Sequence, residues 1–213
     1  MKTNNTTPLQ AHMLKLLFEI DDLCRANSIQ YMLFAGGQLG VNRHGGLIPW
    51  DDDIDIIMTL DNFDRLLGVA KTDLLPGRTI NALEKSTDYL FTYGRYVDLN
   101  TTALQRHTVF GGVDPGVKID IFYAVPTSED LALAEEHRLR ILAFSELVAD
   151  CAVMKFRRPD GVFPFYEEEK KLYEELGREE YITRRMQELK YKYVVPGEKP
   201  ARYVLFSGMI ATA

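Results

Sequence analysis

The sequence has few cysteines, no excess of basic charge and no long apolar run. Its two cysteines, Cys24 and Cys151, lie far apart in apolar helical contexts, where a free thiol usually behaves as a small hydrophobic group. This cysteine usage predicts a reduced, cytoplasmic protein. With 25 Lys and Arg against 31 Asp and Glu, the net charge is −6, which argues against binding of a nucleic-acid polymer.

The sequence also has no stretch typical of a membrane-spanning segment. The most apolar long stretch, residues 141–156, is interrupted by Glu146 and Asp150, whereas a spanning helix needs about 20 largely apolar residues. Residues 1–10 are polar and lack the apolar stretch of a signal peptide. We therefore predict no transmembrane segment and no signal peptide.

What is present indicates a globular α+β fold. Hydrophobic residues make up 46% of the 213 residues, enough for a core in one large domain or in one domain with a helical appendage. Thr7, Pro8 and Gln10 form a capping box, which starts a helix predicted to end near Ala26. Strands are predicted at 29–35, 53–58, 79–83, 89–99 and 117–125. A short helix at 38–43 follows the first strand, and a helix with Asp61 as its N-cap follows the second.

After Pro126 the pattern is helical to the end of the chain. Thr127 or Ser128 should cap the first of these helices, and the helices are predicted at 129–156, 166–176 and 178–193. We therefore predict a mixed β-sheet with an N-terminal helix in residues 1–126 and a helical C-terminal layer in residues 127–213.

The strongest functional signal is the acidic run from Asp51 to Asp55. Residues two apart on a strand share a face, so Asp53 and Asp55 should point together, and Asp51 could join them at the strand entrance. Carboxylate oxygens at this spacing suit Mg²⁺ (or Mn²⁺), which keeps part of its shell for water and substrate phosphates. An acidic loop with a solvated face is the structural alternative, which the neighbouring isoleucines disfavour.

A third acid and a glycine pair lie elsewhere in the predicted sheet. Asp120 lies between two isoleucines, where an unpaired carboxylate would be costly, so we predict that it joins the same metal site. The alternative is a structural salt bridge to Lys118. Gly36 and Gly37 follow a strand, so their N–H groups could approach phosphate oxygens, although a glycine pair is more often only a turn. The dinucleotide fingerprint and the P-loop are both absent from this stretch.

Together these motifs resemble the LicD family of phosphocholine transferases, which includes fukutin-type phosphotransferases and belongs to the nucleotidyltransferase-fold superfamily. The resemblance rests on Gly36-Gly37, on RHGGLIPWDDDIDI at 43–56 and on IDIF at 119–122, and it covers about residues 14–125. It implies a nucleotidyltransferase-like mixed sheet, a divalent metal and a CDP-linked donor such as CDP-choline. The phosphocholine group would pass to a sugar hydroxyl of a cell-surface glycan precursor, as in lipopolysaccharide or teichoic acid biosynthesis.

The resemblance also implies roles for five residues. Asp53 and Asp55 would be catalytic metal ligands. Asp120 would share a metal and either act as general base or orient the acceptor hydroxyl. Gly36 and Gly37 would hold the donor phosphates.

Three further residues are candidates for substrate binding, each with a structural alternative. Arg43 suits the pyrophosphate charge, but a basic residue at a helix C-terminus is nearly as good an explanation. His44 is a candidate near the leaving phosphate, although a lone histidine in a glycine-rich loop is more often structural. Trp50 is either a core anchor, which we favour, or one wall of a cation–π site for a quaternary ammonium.

Two other functions stay open at this point. A nucleotidyltransferase that moves NMP to a small hydroxylated acceptor would use the same acids, and a truncated binding protein without activity would use none of them. Family members commonly continue for tens of residues beyond this length, so we expect a truncated C-terminal region. Gly37 stands where the family usually carries Thr or Ser. The sequence does not define the oligomeric state.

Overall fold

The protein is described by a computed structural model that covers residues 6–103, 114–150, 164–193 and 200–207. Along the chain the elements are α1 (Pro8–Ala26), β1 (Met32–Phe34), α2 (Ala35–His44), β2 (Asp55–Thr59), α3 (Leu60–Val69), β3 (Arg78–Asn81), β4 (Gly94–Asp98), β5 (Val117–Thr127), α4 (Leu131–Asp150), α5 (Tyr166–Leu176), α6 (Arg178–Tyr191) and β6 (Arg202–Leu205). The predicted α+β class is confirmed. Cys151 and the predicted end of its helix at 156 lie outside the described residues.

Helix α1 forms where the capping box predicts it. The Thr7 side chain accepts a hydrogen bond from the Gln10 backbone N–H, and the Gln10 side chain accepts one from the Thr7 N–H, both at 3.1 Å. Its buried residues recur along one stripe of the helix: Gln10, Met13, Leu16, Ile20 and Cys24. The helix ends at Ala26, as predicted.

The sheet is mixed, and its strands lie in the order β1-β2-β5-β4-β3, with β6 beside the second part of β5. Antiparallel pairing places Arg95 opposite Asp120 and Tyr96 opposite Ile119. Tyr96 donates to Glu19 of α1, so α1 covers the Tyr96 face. Because neighbouring residues of a strand point to opposite faces, Arg95 and Asp120 lie on the other face.

The chain forms two units. The first contains described residues 6–81, 94–103 and 114–122, and it holds α1 to β4 and the first part of β5. The second contains residues 82–93, 123–150, 164–193 and 200–207. It holds α4 to α6 and the pairing of residues 124–127 with β6. The segment 82–93 therefore groups with the helical part, and the first unit ends at Phe122, before the predicted boundary at 126.

Three local predictions are wrong. Thr59, and not Asp61, is the N-cap of α3, because buried Leu60 already belongs to the apolar stripe of this helix. The strand predicted to start at Asp53 starts at Asp55. The chain is not helical to its end, because residues 202–205 form β6 against β5.

The start of α4 also differs from expectation. The Asp130 carboxylate accepts hydrogen bonds from the N–H groups of Ala132 and Leu133, and Ser128 accepts one from Asp130 N–H. Asp130 therefore satisfies the free N–H groups of the first turn in place of Thr127 or Ser128. Across the described parts of the chain, no helix is both long and apolar enough to cross a membrane.

Candidate active site

The acidic run forms a tight cluster immediately before β2. Carboxylate oxygens of Asp51, Asp52 and Asp53 lie within 4.8 Å of one another, and this group is the one such acidic cluster among the described residues. Asp51 N–H donates to the Ile48 carbonyl at 3.0 Å, which closes a turn ahead of the acids. The cluster is thus built by a loop, two residues earlier than the predicted Asp53–Asp55 pairing on a strand.

Asp55 lies on the same face of the sheet as Asp120. It is opposite Phe34 in the β1–β2 ladder, and the Phe34 ring lies 5.3 Å from the Phe122 ring, two residues beyond Asp120. The pKa of the Asp55 carboxyl is raised to about 7, chiefly by burial and then by the charges of Asp53 and Asp120, while Lys118 opposes the shift. Asp55 therefore belongs to the same electrostatic group as the acidic loop.

Asp53 is perturbed in the same direction. Partial burial is the largest cause of its raised pKa, followed by the neighbouring charge of Asp51, and Lys118 again opposes the shift. Carboxylates that repel one another in a partly buried site are stabilised by a cation. Hard oxygen ligands gathered in this way fit Mg²⁺ or Mn²⁺.

Asp120 carries two basic partners. The Arg95 guanidinium donates from Nε to Asp120 Oδ1 at 3.0 Å, and the Lys118 ammonium donates to Asp120 Oδ2. Arg95 is only 1% exposed, so this is an interior ion pair. The backbone joins Asp120 to the acidic segment, because its N–H donates to the Ile54 carbonyl at 3.0 Å. The salt bridge to Lys118 that was the alternative for Asp120 is present, and it lies beside the acids.

The two glycines have different surroundings. A Cβ added to Gly36 would lie 2.5 Å from Asp51 Oδ2, so the Asp51 carboxylate packs directly against this glycine. A Cβ at Gly37 would meet nothing closer than 3.6 Å, which is ordinary contact distance. The Thr or Ser usual in the family would therefore find room for its Cβ at position 37. Gly36 places the acidic loop, and its role in phosphate binding stays a prediction.

The remaining candidates lie at the end of α2. Arg43 and His44 occupy its last turn, where a positive charge interacts favourably with the helix dipole. Trp50 is 80% exposed, so the favoured interpretation as a core anchor is wrong. Its ring stands edge-on to His44, with ring centroids 5.8 Å apart. Arg95 is not predicted from the sequence, because only the β4–β5 register places it opposite Asp120.

Comparison with known proteins agrees with this geometry. The family described as "LicD/FKTN/FKRP, nucleotidyltransferase domain" matches residues 28–140, which is more than half of the chain. The chain belongs to the LicD family. The matched LicD segment contains the glycine pair, the acidic loop, β2 and Asp120. The predicted family is confirmed.

One curated relative matches a shorter segment. The chain is 39% identical over 69 residues to a protein named lipopolysaccharide cholinephosphotransferase LicD, from Haemophilus influenzae. The match covers 32% of this LicD chain and 26% of that protein. The chain thus aligns with about a quarter of the length of this relative.

Proposed function

We propose that this protein transfers a phosphocholine or related phospho-alcohol group from a CDP-linked donor to a sugar hydroxyl of a cell-surface glycan precursor. The observation that carries the proposal is the acidic site of a LicD family member: the Asp51–Asp53 cluster, with Asp55 and Asp120 on the adjoining strands. The name of the curated relative supports phosphocholine as the group transferred.

We propose Asp53 and Asp55 as ligands of Mg²⁺ or Mn²⁺, with Asp51 beside them and Asp120 at the same site. When bound, such an ion would offset the negative charge of the transferring phosphoryl group. Asp120 orients the acceptor hydroxyl at this site. Its ion pairs with Arg95 and Lys118 hold its carboxylate in one place while it accepts that hydrogen bond.

The basic and aromatic groups complete the proposed donor site. Lys118 and Arg43 supply positive charge for the donor phosphates, and Gly36 and Gly37 let the backbone approach them. His44 and the exposed Trp50 lie next to the acidic loop, and the indole is accessible to a quaternary ammonium group.

Product analysis tests the function. Purified protein incubated with CDP-choline, Mg²⁺ and a sugar acceptor of the lipopolysaccharide or teichoic acid type should release CMP and form a phosphocholine glycan. Transfer of NMP from a nucleoside triphosphate, with pyrophosphate released, would instead identify a nucleotidyltransferase. Absence of both reactions, together with no binding of Mn²⁺ or cytidine nucleotides, would contradict any catalytic role.

The metal ligands are tested by charge removal. Asp53→Asn and Asp55→Asn should abolish transfer and keep the fold. In chelator, Asp55→Asn should raise the melting temperature, because it removes one of several repelling carboxylates from a buried position. A folded Asp53→Asn protein with wild-type turnover would refute the assignment.

A further inference from the structure

Gln10 is a buried polar side chain in the first turn of α1, and it contacts the loop that leads into the acidic cluster. Only 2% of it is exposed. Its side-chain amide nitrogen lies 3.0 Å from the carbonyl oxygens of Ile48 and Asp51 and 3.4 Å from that of Pro49. One amide nitrogen therefore contacts three backbone carbonyl oxygens within residues 48–51.

The orientation of this amide is fixed by both of its ends. Gln10 Oε1 accepts a hydrogen bond from Thr7 N–H, so the oxygen faces the start of the helix. The nitrogen then faces the loop, where only a donor can satisfy backbone carbonyl oxygens. The reverse orientation would leave buried acceptors facing an acceptor and would break all of these bonds.

The loop needs such a support because its side chains repel one another. Asp51, Asp52 and Asp53 bring three carboxylates within 4.8 Å, and the backbone must hold them there against that repulsion. The Asp51 carbonyl is bound by Gln10, and the Asp51 carboxylate packs against Gly36. Two contacts thus fix the first residue of the cluster.

We propose that Gln10 is a positioning residue for the acidic loop and sets the spacing of its carboxylates for a divalent cation. The metal-binding part rests on the proposed function, whereas the control of loop conformation does not. A purely structural role would confine the effect of Gln10 to the stability of α1, through the capping box.

Two substitutions separate these roles. Gln10→Met has similar volume but no donor for the loop, so it removes both the loop contacts and half of the capping box. Thr7→Ala removes the hydroxyl that accepts from the Gln10 N–H, which is the other half of the capping box. It leaves the loop contacts in place, so it is the matched control. Gln10→Glu serves if the Met variant does not fold, because its carboxylate still accepts from Thr7 N–H but repels the loop carbonyls.

The protein carries its own reporter of the loop. Its single tryptophan, Trp50, lies between Pro49 and Asp51. In chelator, the time-resolved fluorescence anisotropy of Trp50 should gain a fast component in Gln10→Met and match wild type in Thr7→Ala. Unchanged anisotropy in the folded Gln10 variants would overturn the proposal.

A titration with Mn²⁺ alone tests the link to the metal. Gln10→Met should weaken Mn²⁺ binding at least about tenfold, as is usual when a residue that orients a ligand is lost, and Thr7→Ala less than about twofold. Equal losses in the two variants would overturn the positioning role. If wild-type protein binds no Mn²⁺, the metal part of the proposed function is wrong, and the Trp50 comparison still decides whether Gln10 controls the loop.

Discussion

Gly36 and Gly37 are neighbours in the chain, yet only one of them leaves no room for a side chain. The Cβ of Gly36→Ala would displace the Asp51 carboxylate, which can swing away without unfolding the protein. We expect this variant to fold normally and to bind Mn²⁺ several-fold more weakly. Gly37→Ser is the matched control, since its Cβ meets only ordinary contacts. Equal Mn²⁺ affinities of the Gly36→Ala and Gly37→Ser variants in calorimetry would show that the position of Asp51 does not affect metal binding.

Lys118 is a basic side chain that offsets the negative charge of the acids at this site. It pairs with Asp120 and opposes the rise in the pKa of both Asp53 and Asp55. Lys118→Met should therefore lower the melting temperature in chelator and tighten Mn²⁺ binding by about threefold or more, because a competing cation is gone. Lys118→Arg keeps the charge and should resemble wild type. Weaker Mn²⁺ binding in the Met variant would contradict the counter-ion role.

At the scale of single residues, the sequence indicates which residues form the site better than it indicates their burial or their partners. The acids and glycines were recognised because their order along the chain is distinctive. The sequence favours a core position for Trp50, whereas the structure places it, exposed, in the loop that Gln10 contacts. Arg95 could not be found from the sequence, because its partner lies on another strand.

At the scale of elements, α1 is tied to the sheet by an interior ion network. Arg78 of β3 donates to both oxygens of Glu19 at 2.7 and 3.0 Å and pairs with Asp98 at 2.6 Å. Asp98 also accepts from His12 of α1 at 2.9 Å. Two helix residues are thus joined to two strands, and the helix that carries Gln10 has a fixed place on the sheet.

This network should be costly to break. Arg78→Met leaves Glu19 and Asp98 without their shared cation in the interior, and we expect it to lower the unfolding free energy by about 3–5 kcal/mol in denaturant titrations. The control is Arg25→Ala, which removes the exposed pair with Asp21 and should lower the unfolding free energy far less. Similar losses for both variants would mean that the network contributes no more than a surface ion pair.

Elements with strong local signals were predicted with their true bounds, and those that depend on distant partners were not. Helix α5 spans Tyr166–Leu176 as predicted, and α1 ends at Ala26, because capping and apolar spacing act within each helix. Strand β6 has four residues, too few to establish a strand by alternation alone. It is a strand because β5 offers it backbone hydrogen bonds, which a single sequence does not display.

At the scale of the whole molecule, residues 82–93 belong with the helical second unit because of two basic side chains on α6. Lys190 donates to Glu84 at 2.5 Å, and Tyr123 donates to the same carboxylate oxygen at 2.8 Å. Arg178 donates to the carbonyls of Thr87 and Tyr89. A segment that the sequence assigns to the catalytic part is thereby held by the C-terminal helices.

The stability of the second unit should depend on pH through His137. Its Nε2–H donates to the Leu189 carbonyl at 2.6 Å, so Nδ1 accepts from the Thr127 hydroxyl at 2.9 Å, and the ring stacks on Tyr193. Burial favours the neutral ring and lowers the pKa of His137 from 6.5 to about 4. The unfolded chain therefore binds the proton more readily than the folded protein does.

The folded protein should lose stability as the pH falls. The contribution of His137 is complete above pH 6.5 and is lost as the pH falls toward 4, with about 3 kcal/mol of unfolding free energy at stake. His137→Gln should flatten the pH dependence of unfolding between pH 7 and pH 4 relative to wild type. Parallel profiles for the two proteins in urea titrations would show that His137 does not titrate between folded and unfolded states.

The pairing of β6 with β5 has a consequence for synthesis on the ribosome. Residues 124–127 emerge before α4, α5 and α6, whereas their partner strand emerges after all three helices. Until then the nascent chain presents an open strand edge, which can pair with other chains. Rapid translation of many copies should therefore favour inclusion bodies, and slower expression at low temperature should increase the yield of folded protein.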